Sequence, residues 1–386
     1  MLSSDESKKA SQPLYKQVSH SILEKVLDGT YAPGRPIPSE RELCEMMGVS
    51  RCTVRQAIQE LVQSGHLYRV QGTGTFVFGS QVRAPMKTDL VGAILPHCYK
   101  ELQAKILSGI QSVLRQERYR MTFLDSDNDY RREAEGIQVL RSEGVKGLII
   151  MPADDQKDST AISDLKTEGF PFVLVDRRLQ DCDTDCVMSE NIDGAFRATE
   201  YLLHLGHVRI AFVKSRFNYT SSIEDRLIGY RRAMLEYGME PDPQLVFSYD
   251  DTLERGMMND QLYRFIEENK VSGIVAVSSE VALDVIKMCR ERSLAIPDAL
   301  SLVCFDDVEL MQHLEVPLTV VRQRPYAIGA AAARLLLPKM KPSIGEDDRM
   351  IKQLYYPVEL VIRESCAEPP GAHCSKPSSR SKSQSA

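Results

Sequence analysis

The sequence lacks any long apolar run, and this absence excludes several classes of protein. No hydrophobic stretch approaches the roughly 20 residues that a membrane-spanning helix requires. Residues 1–12 are polar and mixed in charge, without the apolar centre of a secretory signal. The nine cysteines are irregularly spaced, as in proteins of a reducing compartment. We therefore expect a cytoplasmic protein without a membrane partner.

The chain also lacks an excess of positive charge and the short motifs of common enzymes. Its formal net charge is −6 over 386 residues, so nucleic-acid binding would require a local cluster of Arg and Lys. It contains no G-x-S-x-G, no H-E-x-x-H and no phosphate-binding loop. Cys182 and Cys186 have no second pair nearby that would complete a zinc site. We expect neither an enzyme nor a cofactor or metal site.

The length and the change of pattern along the chain predict at least two domains. Helical patterns and two short strands occupy the N-terminal part, whereas strand and helix patterns alternate in the rest. The predicted segments are a flexible leader at 1–12, a small domain at 13–78, a linker at 79–88, a large domain at 89–366 and a disordered tail at 367–386.

Six short apolar runs in the large region are typical of parallel strands covered on both faces. They are residues 90–95, 147–151, 172–175, 209–213, 273–277 and 300–305. Because helical patterns separate them, the region is predicted to be an α/β domain. More than ten such elements fit two sheets better than one.

The small domain contains the pattern of a helix-turn-helix. An apolar stripe repeats every four residues from Leu14, and Ser39 with Glu42 has the spacing of a capping box at the start of a second helix. Gly48 ends that helix and Ser50 caps a third one. Two helices joined by such a tight turn form the motif that places a helix in the major groove of DNA.

Arg51 and Arg55 are the strongest candidates for contact with bases. They lie four residues apart, so they project from one exposed face near the start of the third helix, with Thr53 beside them. An Arg guanidinium matches the O6 and N7 acceptors of guanine. After this helix, two short strands flank a glycine-rich turn at 71–74, which predicts a wing close to phosphate.

Residues 38–43 (PSEREL), 48–58 (GVSRCTVRQAI) and 71–77 (QGTGTFV) resemble the GntR family of winged helix-turn-helix regulators. The resemblance implies an α+β fold in which Arg41, Arg51 and Arg55 occupy DNA-contact positions, and Gln71 and Gly72 form the wing contact. With Ser50 and Thr53 on the third helix, these residues complete the predicted DNA-binding set. Cys52 stands where Thr or Asn is commoner.

Segments of the large region resemble the LacI-type effector domain, which is related to periplasmic sugar-binding proteins. They are residues 175–179 (VDRRL), 204–213 (HLGHVRIAFV), 225–234 (DRLIGYRRAM), 296–307 (IPDALSLVCFDD), 317–323 (PLTVVRQ) and 358–365 (VELVIRES). The resemblance implies a two-lobed, periplasmic-binding-protein-like domain with parallel sheets, which binds an effector and dimerises. A GntR-type domain joined to such a domain resembles the arabinose-repressor architecture.

The predicted effector site lies beyond the carboxyl ends of the strands, where open α/β sheets bind ligands. Polar residues follow several apolar runs directly, and carboxylates and guanidinium groups suit the hydroxyls of a sugar. The candidate effector-binding residues are Tyr99, Lys100, Asp176, Arg177, Arg226, Ser278 and Asp306. At Ser278 and Ser279 the related family usually has Asn-Asp, so one sugar contact is missing.

Structural roles are the alternatives for four of these residues and their neighbour Asp307. Asp176 would cap the following turn, and Arg177 would form a surface or interlobe ion pair. Arg226 would pair with Glu224 or another carboxylate. Only one of Asp306 and Asp307 would contact a ligand.

These patterns predict a ligand-responsive transcriptional repressor of carbohydrate-utilisation genes, which a sugar or a related small molecule releases from DNA. We expect a homodimer on palindromic double-stranded operator DNA, since two-fold symmetry matches paired half-sites. The alternative is an activator or corepressor-type regulator that senses a non-sugar metabolite such as a sugar acid, whose carboxylate Lys100, Arg177 and Arg226 would tolerate.

Overall fold

The chain divides into two compact units, residues 1–87 and 88–386, and the units have separate hydrophobic cores. The computed structural model describes residues 13–70, 72–78, 89–153, 160–179, 182–215, 220–250, 254–341 and 350–370. The predicted leader, the predicted linker and residues 371–386 of the predicted tail lie outside the described residues.

Three helices and an antiparallel hairpin form the small unit, and this confirms the predicted winged helix-turn-helix. The elements are α1 Leu14–Leu27, α2 Glu40–Met47, α3 Arg51–Gln63, β1 Leu67–Val70 and β2 Gly74–Val77. Ile22, Leu43 and Val54 come from the three helices and are fully buried together, while Leu67 opposite Val77 joins the hairpin to this core.

The turn between α2 and α3 forms as the local sequence dictates. Glu42 accepts a hydrogen bond from the backbone N–H of Ser39 at 2.7 Å, and Ser39 Oγ accepts one from the N–H of Glu42 at 3.3 Å. Gly48 ends α2 with a left-handed φ of 65°, which a residue with a Cβ adopts at a cost. Ser50 Oγ accepts from the N–H of Thr53 and begins α3. The turn therefore fixes where the start of α3 points.

The large unit contains two six-stranded sheets with helices between most of the successive strands, in agreement with the predicted fold. Its strands are β3 Leu90–Leu95, β4 Arg120–Asp125, β5 Gly147–Ile150, β6 Phe172–Val175, β7 Cys186–Ser189, β8 Ile210–Ser215, β9 Val246–Tyr249, β10 Gly273–Ala276, β11 Ser301–Phe305, β12 Thr319–Arg322, β13 Gln353–Tyr356 and β14 Glu359–Val361. Its α-helices are α4 Glu101–Gln116, α5 Tyr130–Ser142, α6 Thr160–Thr167, α7 Asn191–His204, α8 Ser221–Glu236, α9 Arg255–Asn269, α10 Ser279–Glu291 and α11 Pro325–Lys339.

Each sheet is the centre of one lobe. The first lobe has the strand order β13-β7-β6-β5-β3-β4, with all neighbours parallel. The second has the order β14-β12-β11-β10-β8-β9, in which only β12 and β14 are antiparallel. None of the helices in the described ranges is both long and apolar enough to cross a bilayer.

The chain passes between the lobes three times, after β7, after β12 and after β13. Ser189 Oγ at the first crossing donates a 2.5 Å hydrogen bond to Oε1 of Gln323 at the second. Both side chains are buried. The first two crossings thus lie side by side, and the carboxyl ends of strands from both sheets face a common cleft.

Candidate functional site

The two predicted arginines at the start of α3 differ in their contacts: one is paired with a carboxylate and the other makes no polar contact with a described residue. The Arg51 side chain is exposed and makes no hydrogen bond or ion pair with any described residue. The Arg55 guanidinium instead lies 3.1 Å from Oε2 of Glu40 at the start of α2, and this hydrogen bond raises the pKa of Arg55. Arg69 on the first wing strand lies 3.5 Å from the other oxygen of Glu40. One carboxylate therefore holds two of the exposed arginines in place.

The remaining predicted DNA-binding residues surround this surface. Arg41 is exposed and forms a 3.1 Å pair with Glu45 one turn along α2. The hydroxyl groups of Ser50 and Thr53 form a 2.9 Å hydrogen bond with each other. Both side chains therefore stabilise the start of α3 as well as forming part of its surface. Gly72 has a φ of 76° in the turn of the wing. Gln71 lies outside the described residues.

A cavity of about 370 Å³ lies between the two lobes of the large unit. Six of the seven predicted effector-binding residues line it, and they come from both lobes: Lys100, Asp176, Arg177, Arg226, Ser278 and Asp306. Tyr99 does not line the cavity: it is 78% exposed and its ring lies beside that of His97. The turn before α4 directs Lys100 inward and leaves Tyr99 outside.

Arg226 and Asp306 form the base of the cavity in the second lobe. Arg226 Nη2 lies 3.9 Å from Oδ1 of Asp306, while Nε donates to Asn191 and Nη1 donates to the carbonyl of Val277 at 2.5 Å. Burial raises the pKa of Asp306 to about 6 although Arg226 favours its ionised form. The Arg226 side chain is thus fixed within its lobe by Asn191 and Val277.

Asp176 and Arg177 form the opposing wall in the first lobe. Asp176 follows β6 with a φ of 65°, a strained conformation for a residue with a side chain. Arg177 donates to Oδ1 of Asn128 at 2.9 Å and to the carbonyl of Pro152 at 2.8 Å, and its Nε lies 3.8 Å from Asp176. The Nε is buried and has no hydrogen-bond acceptor within the described part of the chain. Arg177 is therefore anchored within its own lobe.

Several polar contacts join the lobes around the cleft. Lys100 Nζ lies 3.0 Å from Oε1 of Glu280. Glu101 accepts a 2.9 Å hydrogen bond from the backbone N–H of Glu309. Arg178 binds both carboxylate oxygens of Asp225 at 2.5 and 2.8 Å. Since these contacts need the lobes close together, the structure represents a closed arrangement.

Asp307 and Ser278 make contacts that stabilise the fold. Asp307 is paired with Arg322 and Arg363, each at 2.7 Å, and lies outside the lining of this cavity. Of the two neighbouring carboxylates, Asp306 is therefore the one that reaches the ligand space. The hydroxyl of Ser278 accepts a hydrogen bond from the N–H of Val281 and caps the start of α10. Part of its hydrogen-bonding capacity is therefore already used within the protein.

Several polar residues of the cavity are not among those predicted from the sequence, namely Gln103, Asn128, Glu280 and Gln323. Gln323 follows the end of β12 and donates to Oδ1 of Asp306, so the rule for strand ends would have identified it. Gln103 occupies a buried position of the α4 stripe, where every neighbour on that face is apolar. Neither Glu280 nor Asn128 directly follows a predicted strand. Contact with Lys100 of the other lobe brings Glu280 into the site, and contact with Arg177 of its own lobe brings in Asn128.

No grouping of three or more potential metal ligands occurs among the residues that the structure describes. Cys182 and Cys186 are both buried as free thiols.

Comparison with known proteins matches both units. Residues 14–77 match the model of the bacterial regulatory proteins of the gntR family, and residues 199–366 match that of the periplasmic binding protein-like domain. The chain is a DNA-binding transcription regulator with a GntR-type domain and a two-lobed, LacI-like domain. The regulator is 28% identical over 369 residues to the arabinose metabolism transcriptional repressor of Geobacillus stearothermophilus, covering 94% of this chain and all of that protein.

Other relatives share the large domain of the regulator. Catabolite control protein A of Priestia megaterium is 28% identical over 278 residues, which cover 72% of this chain and 82% of the relative. The crystal structure of a ribose operon repressor from Burkholderia thailandensis superposes with a TM-score of 0.61 at 25% identity and covers 71% of this chain and 99% of that one. All three relatives are named as regulators of transcription or catabolism.

Proposed function

We propose that the regulator is a cytoplasmic, homodimeric repressor of carbohydrate-utilisation genes, released from a palindromic operator by a neutral sugar. The cavity between the lobes carries this proposal. Its volume of about 370 Å³ and its lining of carboxylates, guanidinium groups and amides suit a small polyhydroxylated ligand. Lys100, Asp176, Arg177, Arg226, Ser278 and Asp306 are the proposed effector contacts.

The charge balance of the cavity favours a neutral sugar over a sugar acid. Each of the three cations has a carboxylate within 4 Å: Glu280 beside Lys100, Asp176 beside Arg177 and Asp306 beside Arg226. A ligand carboxylate would have to compete with these anions, whereas hydroxyl groups can donate to the carboxylates and accept from the guanidinium groups.

DNA binding is assigned to the surface of the small domain. Arg41, Arg51, Arg55 and Thr53 would enter or border the major groove, Ser50 would position the start of α3, and the wing residues Gln71 and Gly72 would approach phosphate. The proposed limits of this domain are 13–78, and those of the effector and dimerisation domain are 89–366.

Ligand control follows from the division of the cavity between two lobes. A sugar that touches both lobes binds the closed arrangement better than an open one, and this difference in affinity is what shifts the population of states. The names of the relatives make pentoses the first probes to try, since they refer to arabinose and to a ribose operon.

Thermal unfolding of the full-length protein with a panel of probes tests the proposal. The panel contains L-arabinose, D-ribose, D-xylose, D-glucose and cellobiose, with L-arabinonate and D-gluconate as acids. We expect at least one neutral sugar to raise the unfolding temperature, because a ligand of the folded state stabilises it. That sugar should also release the DNA that lies upstream of the protein's own gene. Stabilisation by acids alone would contradict a neutral effector.

A further inference from the structure

Gln103 is a buried polar residue on an otherwise apolar helix face. It shares the buried face of α4 with Ile106, Leu107 and Ile110, and only 6% of its surface is exposed. It also lines the cavity between the lobes. Its amide oxygen is buried and has no hydrogen-bond partner among the residues that the structure describes. The amide makes no hydrogen bond to any other described group.

An unsatisfied amide at this position lowers the stability of the unliganded protein. A buried acceptor without a donor loses its hydrogen bonds to water and receives nothing in return. Leu or Met would pack on the same face without that cost and would continue the apolar stripe. Gln103 borders the cavity between the lobes, so a group within the cavity is the natural partner for its amide.

We propose that Gln103 is a specificity-determining residue whose amide hydrogen-bonds to a hydroxyl of the sugar effector. This inference rests on the proposed function and adds a residue from the first lobe to the binding set. The amide oxygen has almost no open surface in this arrangement, so a turn of the amide group is needed to present it to the cavity. A hydroxyl donates and accepts, so it can then pair with either end of the amide. A ligand with hydrogen at that position would leave the amide unpaired, and a carboxylate would present only acceptors to its oxygen.

The test compares Gln103→Met with wild type in the full-length protein by calorimetric titration. The probe is the neutral sugar of the panel that binds wild type most tightly, together with its monodeoxy derivatives. Gln111→Met is the matched control, because Gln111 lies on the same helix but is exposed. Asp306→Asn reports on the proposed site as a whole.

We expect Gln103→Met to weaken binding of the parent sugar about tenfold, since the hydroxyl loses its partner in a buried site. One monodeoxy derivative should bind wild type and Gln103→Met with equal affinity, which identifies the hydroxyl concerned. The unfolding temperature of unliganded Gln103→Met should equal or exceed that of wild type. Gln111→Met should bind the parent sugar as wild type does.

Two results would overturn the role of Gln103 while leaving the proposed function intact. The first is that Gln103→Met binds the parent sugar within twofold of wild type while Asp306→Asn loses binding. The second is that unliganded Gln103→Met unfolds at a lower temperature than wild type, which would indicate that Gln103 has a packing role. Undiminished binding by Asp306→Asn would instead contradict the proposed site. If no neutral sugar binds wild type, both the neutral effector and the role of Gln103 are refuted.

Discussion

The ammonium group of Lys100 lies 3.0 Å from the carboxylate of Glu280, and this ion pair joins the two lobes across the effector cavity. Lys100 precedes α4 in the first lobe, and Glu280 is in the first turn of α10 in the second. Burial opposes ionisation of Glu280, but Lys100, together with hydrogen bonds from the backbone and from Ser278, outweighs burial and lowers the pKa of this carboxyl. Each side chain is partly exposed, so the pair contributes little to stability and more to the charge of the cavity.

Glu280→Gln should change which ligands the cavity accepts. The substitution leaves the Lys100 ammonium without its carboxylate, so a sugar acid such as L-arabinonate should bind more tightly than to wild type. Calorimetric titration with the acid and with the corresponding neutral sugar measures the change. Glu315→Gln, at a carboxylate that is 87% exposed, is the control. Equal affinity of Glu280→Gln and wild type for the acid would show that charge balance does not select the effector.

Arg51→Ala should weaken specific operator binding by about 1–3 kcal/mol, the usual cost of losing a bidentate contact to a base. Binding of sugar should be unchanged. Fluorescence anisotropy with the DNA upstream of the protein's own gene measures the effect, and Arg115→Ala on the exposed face of α4 is the control. Operator affinity equal to that of wild type would remove Arg51 from base contact.

Arg55→Ala should cost at least as much, because it also leaves Glu40 facing the DNA with only Arg69 as a partner. The double variant Glu40→Gln, Arg55→Ala should recover part of this loss, since the uncompensated carboxylate is then gone. The same anisotropy assay applies. A double variant weaker than Arg55→Ala alone would indicate that Glu40 itself contributes to DNA binding.

Local sequence rules predicted the small domain almost completely. The capping box of Ser39 and Glu42, the turn at Gly48 and the cap at Ser50 depend on neighbours within three residues, so the sequence contains all the information they need. The six predicted apolar runs of the large domain likewise became β3, β5, β6, β8, β10 and β11, because strands covered on both faces must be continuously apolar.

Tertiary contacts determined what the sequence did not reveal. Edge strand β4 is half-exposed and lacks a continuous apolar run. The pairs Lys100–Glu280 and Arg178–Asp225 join residues far apart in the chain. Asp306 faces the cavity, whereas the adjacent Asp307 faces a neighbouring Arg. The geometry of the turn after the strand decides which of the two reaches the cavity, and the sequence does not reveal it.

Sugar binding should weaken as the pH falls through 6. Burial raises the pKa of Asp306 to about 6, with Arg226 and Gln323 opposing the shift and the carboxylates of Asp176 and Glu280 adding to it. If the ionised form accepts a sugar hydroxyl, affinity should drop about tenfold between pH 8 and pH 5, where about nine-tenths of Asp306 is protonated. Calorimetric titrations across this range measure how the affinity for sugar depends on pH. Asp306→Asn should bind sugar weakly at every pH. If its affinity still depends on pH as that of wild type does, another titrating group is responsible.

Glu133→Gln should stabilise the protein at pH 8 but not at pH 4.5. Burial raises the pKa of Glu133 to about 7, and its Oε2 accepts a hydrogen bond from the N–H of Ala153. A carboxyl whose pKa rises on folding stabilises the fold below its unfolded value near 4.5, and that contribution is lost as the pH rises through 7. The gain at pH 8 should be on the order of 1–3 kcal/mol. Denaturant unfolding measures it, and an equal effect at both pH values would exclude titration as the cause.

Release of operator DNA by a sugar, compared between wild type and Asp306→Asn, tests the proposed function most directly. Labelled DNA from upstream of the protein's own gene is bound by each protein, and the sugar that best stabilises wild type is then added while anisotropy is followed. We predict that both proteins bind the DNA equally and that only wild type releases it. Equal release from Asp306→Asn, or no DNA binding by wild type, would contradict a sugar-controlled repressor whose effector lies between the lobes.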